Sequence, residues 1–253
     1  YAKMNGTFMY ASEIKSLLRH PDFVKELNAE ALKPYMTFQY PAIGETFFKG
    51  VYKLPEGHYF TYRDGKMDIH RYYDEDFREG KQKLGELVNS IDQTVCDSVK
   101  AHQIADVEVG SFLSSGVDSS YVAAVARPQH TYSIGFGKGT YNESQQAGEL
   151  AELLKLNNTA ESLTDEEAFA AFPRIQWHLD EPDSNPSCVP LYFLSALAAK
   201  DVKVVLSGEG ADELFAGYID YGVHTKFRPI KVVTRWLTHL PAGARKAIAR
   251  FCK

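Results

Sequence analysis

Apolar side chains at Leu84, Leu87, Val88, Ile91, Val95 and Val99 return at three- and four-residue steps. That period predicts a long amphipathic helix with one buried stripe. Upstream the period changes. His58–Tyr62 and Met67–Tyr72 are rich in aromatic and β-forming residues and flank Arg63-Asp64-Gly65-Lys66. An Asp-Gly pair between two such runs predicts a hairpin. Thr7–Tyr10 reads as a short strand, and Ser12-Glu13 opens a short helix, Ile14–Arg19, that stops before Pro21. Residues 1–75 are thus expected to be β-rich with short helices. The charged stretch Asp74–Lys81 reads as a linker.

From Val107 the pattern becomes strand, turn, helix, repeated. Expected strands are Val107–Leu113, Thr131–Phe136, Asn158–Leu163 and the mostly apolar run Val202–Leu206. Expected helices are Glu143–Leu154, Glu166–Trp177 and Val189–Ala199. Such alternation implies an α/β fold with a doubly wound parallel sheet. In that architecture ligands bind beyond the carboxyl ends of the strands.

Composition narrows the function classes. The chain has 253 residues and a formal net charge of −5, with 44% hydrophobic and 24% charged residues. Mild acidity argues against nucleic acid as a main partner. No apolar run approaches the ~20 residues of a membrane span. Cys96, Cys188 and Cys252 are far apart, which suits neither a disulfide framework nor zinc and points to a reducing, cytoplasmic setting. The histidines show no HExxH pairing. Gly135–Thr140, "GFGKGT", mimics nucleotide motifs but lacks their spacing and reads as a loop. Lys226–Lys253 has many basic residues and no acid; a solvated helix face is the expected reading. The start at Tyr1 and the end at Lys253 read as cuts in a longer protein.

The chemistry concentrates after two of the expected strands. "FLSSGVDSS", Phe112–Ser120, is a turn of small residues running into a helix. Its backbone N–H groups would face an anion at the positive end of the helix dipole, and serine hydroxyls add donors. Asp118 repels a bare phosphate but suits one that carries Mg²⁺. The plain alternative is a serine-rich turn capped by Asp118. After Val202–Leu206 comes "SGEGADE", Ser207–Glu213. Gly208 and Gly210 let backbone approach a ligand closely, and Asp212 follows Glu209 by three residues. An ordinary capped helix start is the alternative here.

Phe112–Ser120 resembles the pyrophosphate-binding loop of the ATP pyrophosphatase, or PP-loop, superfamily, with Ser115 in place of the usual glycine. "VVLSGEGADELFAGY", Val204–Tyr218, is similar to the synthetase domain of glutamine-dependent asparagine synthetases. "LDEPDSNPSCVPLYFLS", Leu179–Ser195, and "YNESQQA", Tyr141–Ala147, fit the same family. "FMYASEIKSLL", Phe8–Leu18, resembles the late part of its N-terminal glutaminase domain. The resemblance implies residues 1–75 of an α+β Ntn-type glutaminase domain, then residues 76–253 of a synthetase domain truncated at its C-terminal end.

It also implies a ligase that forms C–N bonds. Such an enzyme adenylates the side-chain carboxylate of aspartate with ATP and amidates it with ammonia from glutamine. The products are asparagine, AMP and pyrophosphate. Positions matching family ATP contacts are Leu113, Ser114, Ser115, Gly116, Asp118, Ser119, Ile134, Ser207 and Gly208. Asp118 and Asp212 match carboxylates near Mg²⁺-pyrophosphate, and Glu209 matches the catalytic glutamate. The family's cysteine nucleophile and a later lysine are expected outside the sequence, so this chain is expected not to hydrolyse glutamine alone. A β-lactam synthetase-like enzyme and a non-catalytic homologue are the rival readings. A homodimer stays open.

Overall fold

The structure, a computed structural model, describes residues 1–76, 80–136, 143–219 and 221. Gly137–Thr140, Tyr141 and Asn142, part of the expected linker, and the basic Lys226–Lys253 segment lie outside them.

Strands β1 (Ala2–Met4) and β2 (Thr7–Met9) pair antiparallel. Asn5 at φ 51° and Gly6 at φ 82° make the turn. A short helix α1 (Ile14–Leu17), a helical turn (Ala29–Ala31) and α2 (Leu32–Phe38) follow. The expected hairpin is β3 (His58–Arg63) with β4 (Lys66–Arg71). Asp64 and Gly65 both adopt positive φ, 51° and 76°, as a two-residue I′ turn requires. Ala2, Met9, Leu17 and Val51 form the buried cluster of this part.

The rest is α/β. Helix α3 (Leu84–His102) precedes β5 (Val109–Phe112), α4 (Val117–Ala126), β6 (His130–Phe136) and α5 (Glu143–Leu154). Then come β7 (Asn157–Leu163), α6 (Asp165–Leu179), α7 (Cys188–Ala198), β8 (Val204–Leu206) and α8 (Ala211–Phe215). The sheet order is β7-β6-β5-β8, with every pairing parallel. Successive residues point to opposite faces of a sheet. Phe112 packs with Tyr132, Leu197, Ala198 and Val202, whereas Leu113 packs with Ala123, Ala147 and Ala151. Helix α7 therefore covers one face and α4 with α5 the other, so the sheet is wound on both sides.

Two expected strands are shorter than their apolar runs. Val107 is exposed, and the ladder of β5 starts at Val109, opposite Val204. Val202 closes the end of α7 instead, donating its N–H to the Ala198 carbonyl at 2.9 Å. Helix α1 stops at Leu17, one half-turn before the expected Arg19. Cys96 and Cys188 are free and half-buried. No described helix is long and apolar enough to cross a membrane.

Candidate active site

Strands β5 and β8 lie side by side, so the loops that leave their carboxyl ends meet. The point of contact is Gly208. A β-carbon there would sit 2.7 Å from the Ser119 amide nitrogen and 2.9 Å from Cβ of Asp118. Only a glycine lets the second loop rest on the first turn of α4. Gly210, at φ +89°, then turns the chain into α8.

The first loop is closed on itself by its serines. Ser114 donates its N–H to Ser119 Oγ at 3.1 Å, and the two hydroxyls are 2.8 Å apart. Gly116 donates its N–H to Ser114 Oγ at 3.1 Å. Hydroxyl oxygens thus occupy donors that a phosphate could claim. A buried hydroxyl behind the loop steadies it: Ser133 Oγ donates to the Leu113 carbonyl at 2.8 Å. Leu113 in turn donates its N–H to the Tyr132 carbonyl at 2.8 Å. Backbone groups alternate sides along a strand, so those of Ile134 also turn towards β5, past the end of its ladder.

The loops wall a cavity of about 470 Å³. Leu113, Ser114, Gly116, Asp118, Ser119 and Ile134 reach it from one side. Ser207, Gly208, Glu209 and Asp212 reach it from the other. Ser115 is exposed and lies outside this wall. Ser187, Pro190, Leu191 and Leu194, from α7 and the residue before it, and Glu143 at the start of α5 line the cavity as well, with no role expected for them from sequence. Tyr218 and Glu213 complete the mouth. The runs Leu179–Ser195 and Val204–Tyr218 contain most of these residues, so the signal was present as motif membership without a role.

The wall is acidic. Asp118, Glu143, Glu209, Asp212 and Glu213 all line it, and no lysine, arginine or histidine does among the described residues. Tyr218 donates its hydroxyl to Glu213 at 2.7 Å. That bond first, then burial and the charges of Glu213, Asp212 and Glu209, push the phenol up to about 12. The phenol keeps its proton and serves as a hydrogen-bond donor to Glu213. Among the described residues no three Asp, Glu, His or Cys side chains converge to hold a metal by themselves. The donor set fits Mg²⁺ carried on phosphate oxygens, since that ion keeps water and takes only one or two carboxylates.

Residues 90–249 match the family model described as asparagine synthase, and residues 1–73 match that of a glutamine amidotransferase domain. The glutamine-hydrolyzing asparagine synthetase 1 of Bacillus subtilis (strain 168) is 36% identical over 253 residues, covering 98% of this chain and 39% of that protein. A putative glutamine-hydrolyzing asparagine synthetase of Mycobacterium bovis is 36% identical over 265 residues, with the same coverage of 98% and 39%. The chain thus spans 39% of the length of these relatives. Among solved structures, an NMN synthetase from Francisella tularensis gives a TM-score of 0.36 at 22% identity, over 55% of this chain and 60% of that one.

Proposed function

We propose that this chain, which belongs to the asparagine synthase family over residues 90–249, is part of an ATP-dependent, glutamine-hydrolysing asparagine synthetase. Residues 1–75 would belong to its glutaminase domain and residues 76–253 to its synthetase domain, in the cytoplasm. The observation that carries this reading is the seating of Gly208 on the start of α4, which brings Asp118, Glu209 and Asp212 to one cavity.

In this reading the N–H groups and hydroxyls of Ser114, Gly116 and Ser119 bind the ATP phosphates. Leu113, Ile134, Ser207 and Gly208 contact the nucleotide largely through backbone atoms. Asp118 and Asp212 would hold Mg²⁺, which would supply positive charge to offset that of the phosphates. The side-chain carboxylate of aspartate attacks the α-phosphorus, and the bond to pyrophosphate breaks. Ammonia then attacks the acyl carbon, AMP leaves, and Glu209 accepts the proton that the nitrogen loses. Positioning and charge placement supply most of the catalysis in such transfers.

Glu209→Gln in the full-length protein tests the assignment, because it keeps shape and removes the base. Asparagine formation from ammonium, aspartate and ATP should fall by roughly 10²–10⁴-fold. Glutamine hydrolysis should persist. A variant that makes asparagine at the parental rate would remove Glu209 from the mechanism.

A further inference from the structure

The turn after α6 does more than lead into α7. Asp180 adopts φ +65°, a conformation uncommon for a non-glycine residue. Its carboxylate accepts the N–H of Ile14 at 2.6 Å and of Lys15 at 3.3 Å. It also pairs with Lys15 Nζ at 2.8 Å, both side chains being largely buried. Lys15 Nζ donates as well to the His178 carbonyl at 3.1 Å. The next residue, Glu181, is 8% exposed. It accepts the N–H of Phe47 at 3.1 Å and pairs with Lys53. Two adjacent carboxylates of the α/β part are therefore satisfied by groups from the N-terminal part.

The same segment reaches the cavity with little slack. Gln176 clamps Asp183 through both its N–H and its carbonyl, each at 3.1 Å. Asp183 accepts the N–H of Asn185 at 2.8 Å, and Asn185 accepts that of Ser187 at 3.0 Å. Helix α7 starts at the next residue, and Ser187, Pro190 and Leu191 stand in the cavity wall.

We infer that Asp180 and Glu181 are positioning residues that couple the two parts: they keep the N-terminal part seated against the segment that walls the ATP cavity, so that nitrogen released in one part is used in the other. The inference rests on the proposed function. Ammonia that escapes into water near neutral pH is mostly protonated and no longer a nucleophile. A loosened seat should therefore waste glutamine without harming either half-reaction.

The test uses the full-length protein with Asp180→Asn, Glu181→Gln and Lys53→Met. Glutamate and asparagine are measured with glutamine, and asparagine separately with ammonium chloride. Glutamate formed per asparagine should rise several-fold in each variant, while ammonium-supported synthesis and its KM for ATP stay near parental values. Lys53→Met removes a partner whose side chain is 58% exposed, so it reports on the seat even if a carboxylate variant fails to fold. An unchanged ratio in an active protein overturns the inference alone. So does a parallel loss of ammonium-supported synthesis, which would make these residues merely structural. A parent inactive on both nitrogen sources overturns the functional reading and the inference with it.

Discussion

At the scale of single residues, the site depends on a side chain that is absent. Gly208 has no room for a β-carbon, because the nearest atoms are the backbone of Ser119 and Asp118 rather than a yielding side-chain tip. Its φ is not the reason, since it does not lie in the left-handed region. Gly208→Ala must push β8's loop away from α4 or distort the turn that carries Asp118. Overpacking of this kind typically costs about 1–3 kcal/mol. The expected outcome is a lower unfolding temperature together with a raised KM for ATP. Retention of both parental values would show that the two loops are not in contact. Gly210 differs in kind: it meets nothing nearby but sits at φ +89°, so its constraint is conformational.

At the scale of elements, α6 shows how local chemistry places the segment that walls the cavity. Thr164 caps it: Oγ1 accepts the Glu167 N–H at 3.2 Å, and Glu167 accepts the Thr164 N–H at 2.9 Å. Thr164→Ala should lower stability by about 0.5–2 kcal/mol, read as a shift in the denaturation midpoint. The bonds from Thr164, backbone first and hydroxyl second, hold the Glu167 carboxyl below its ordinary value. A carboxyl depressed by folding adds stability above its unfolded pKa and loses it as pH falls through the folded one. Glu167→Gln should therefore flatten the acid side of the stability profile, and an unchanged profile would remove the cap's ionic part. Elements of this kind were legible in sequence. Asp64-Gly65 announced its hairpin, and the apolar spacing of α5 gave Glu143–Leu154 as observed. Strand limits were less legible, because Val107 and Val202 are as apolar as the residues that do pair. Periodicity also cannot say that β8 lies beside β5, nor that Asp180 binds Ile14 across the chain. Those are long-range choices, with no trace in the local pattern.

At the scale of the whole molecule, charge distribution matters more than its total. The net charge of −5 is modest. The cavity nevertheless gathers carboxylates from α4, α5 and the loop and helix after β8, while Lys15 and Lys53 are engaged at the seat between the two parts. A polyanion approaching that wall meets a cluster of like charges and no lysine, arginine or histidine among the described lining residues. The serine loop offers donors, yet those of Ser114 and Gly116 already have hydroxyl partners, so the gain on exchanging them for phosphate is small. In the proposed function a divalent cation would reverse the balance, with Asp118 and Asp212 as its ligands rather than as obstacles to the phosphates. ATP binding by the full-length protein should therefore require Mg²⁺ and be lost in a chelator. Asp118→Asn should weaken use of Mg²⁺-ATP by roughly tenfold or more, as expected for one lost charge-assisted contact, with the unfolding temperature little changed because no cation pairs with Asp118 among the described residues. Titration calorimetry with and without Mg²⁺, beside a thermal melt, separates the two effects. Equal ATP affinity in the chelator, or an Asp118→Asn variant with unaltered kinetics, would mean that the acidic wall serves something other than a metal-bound nucleotide.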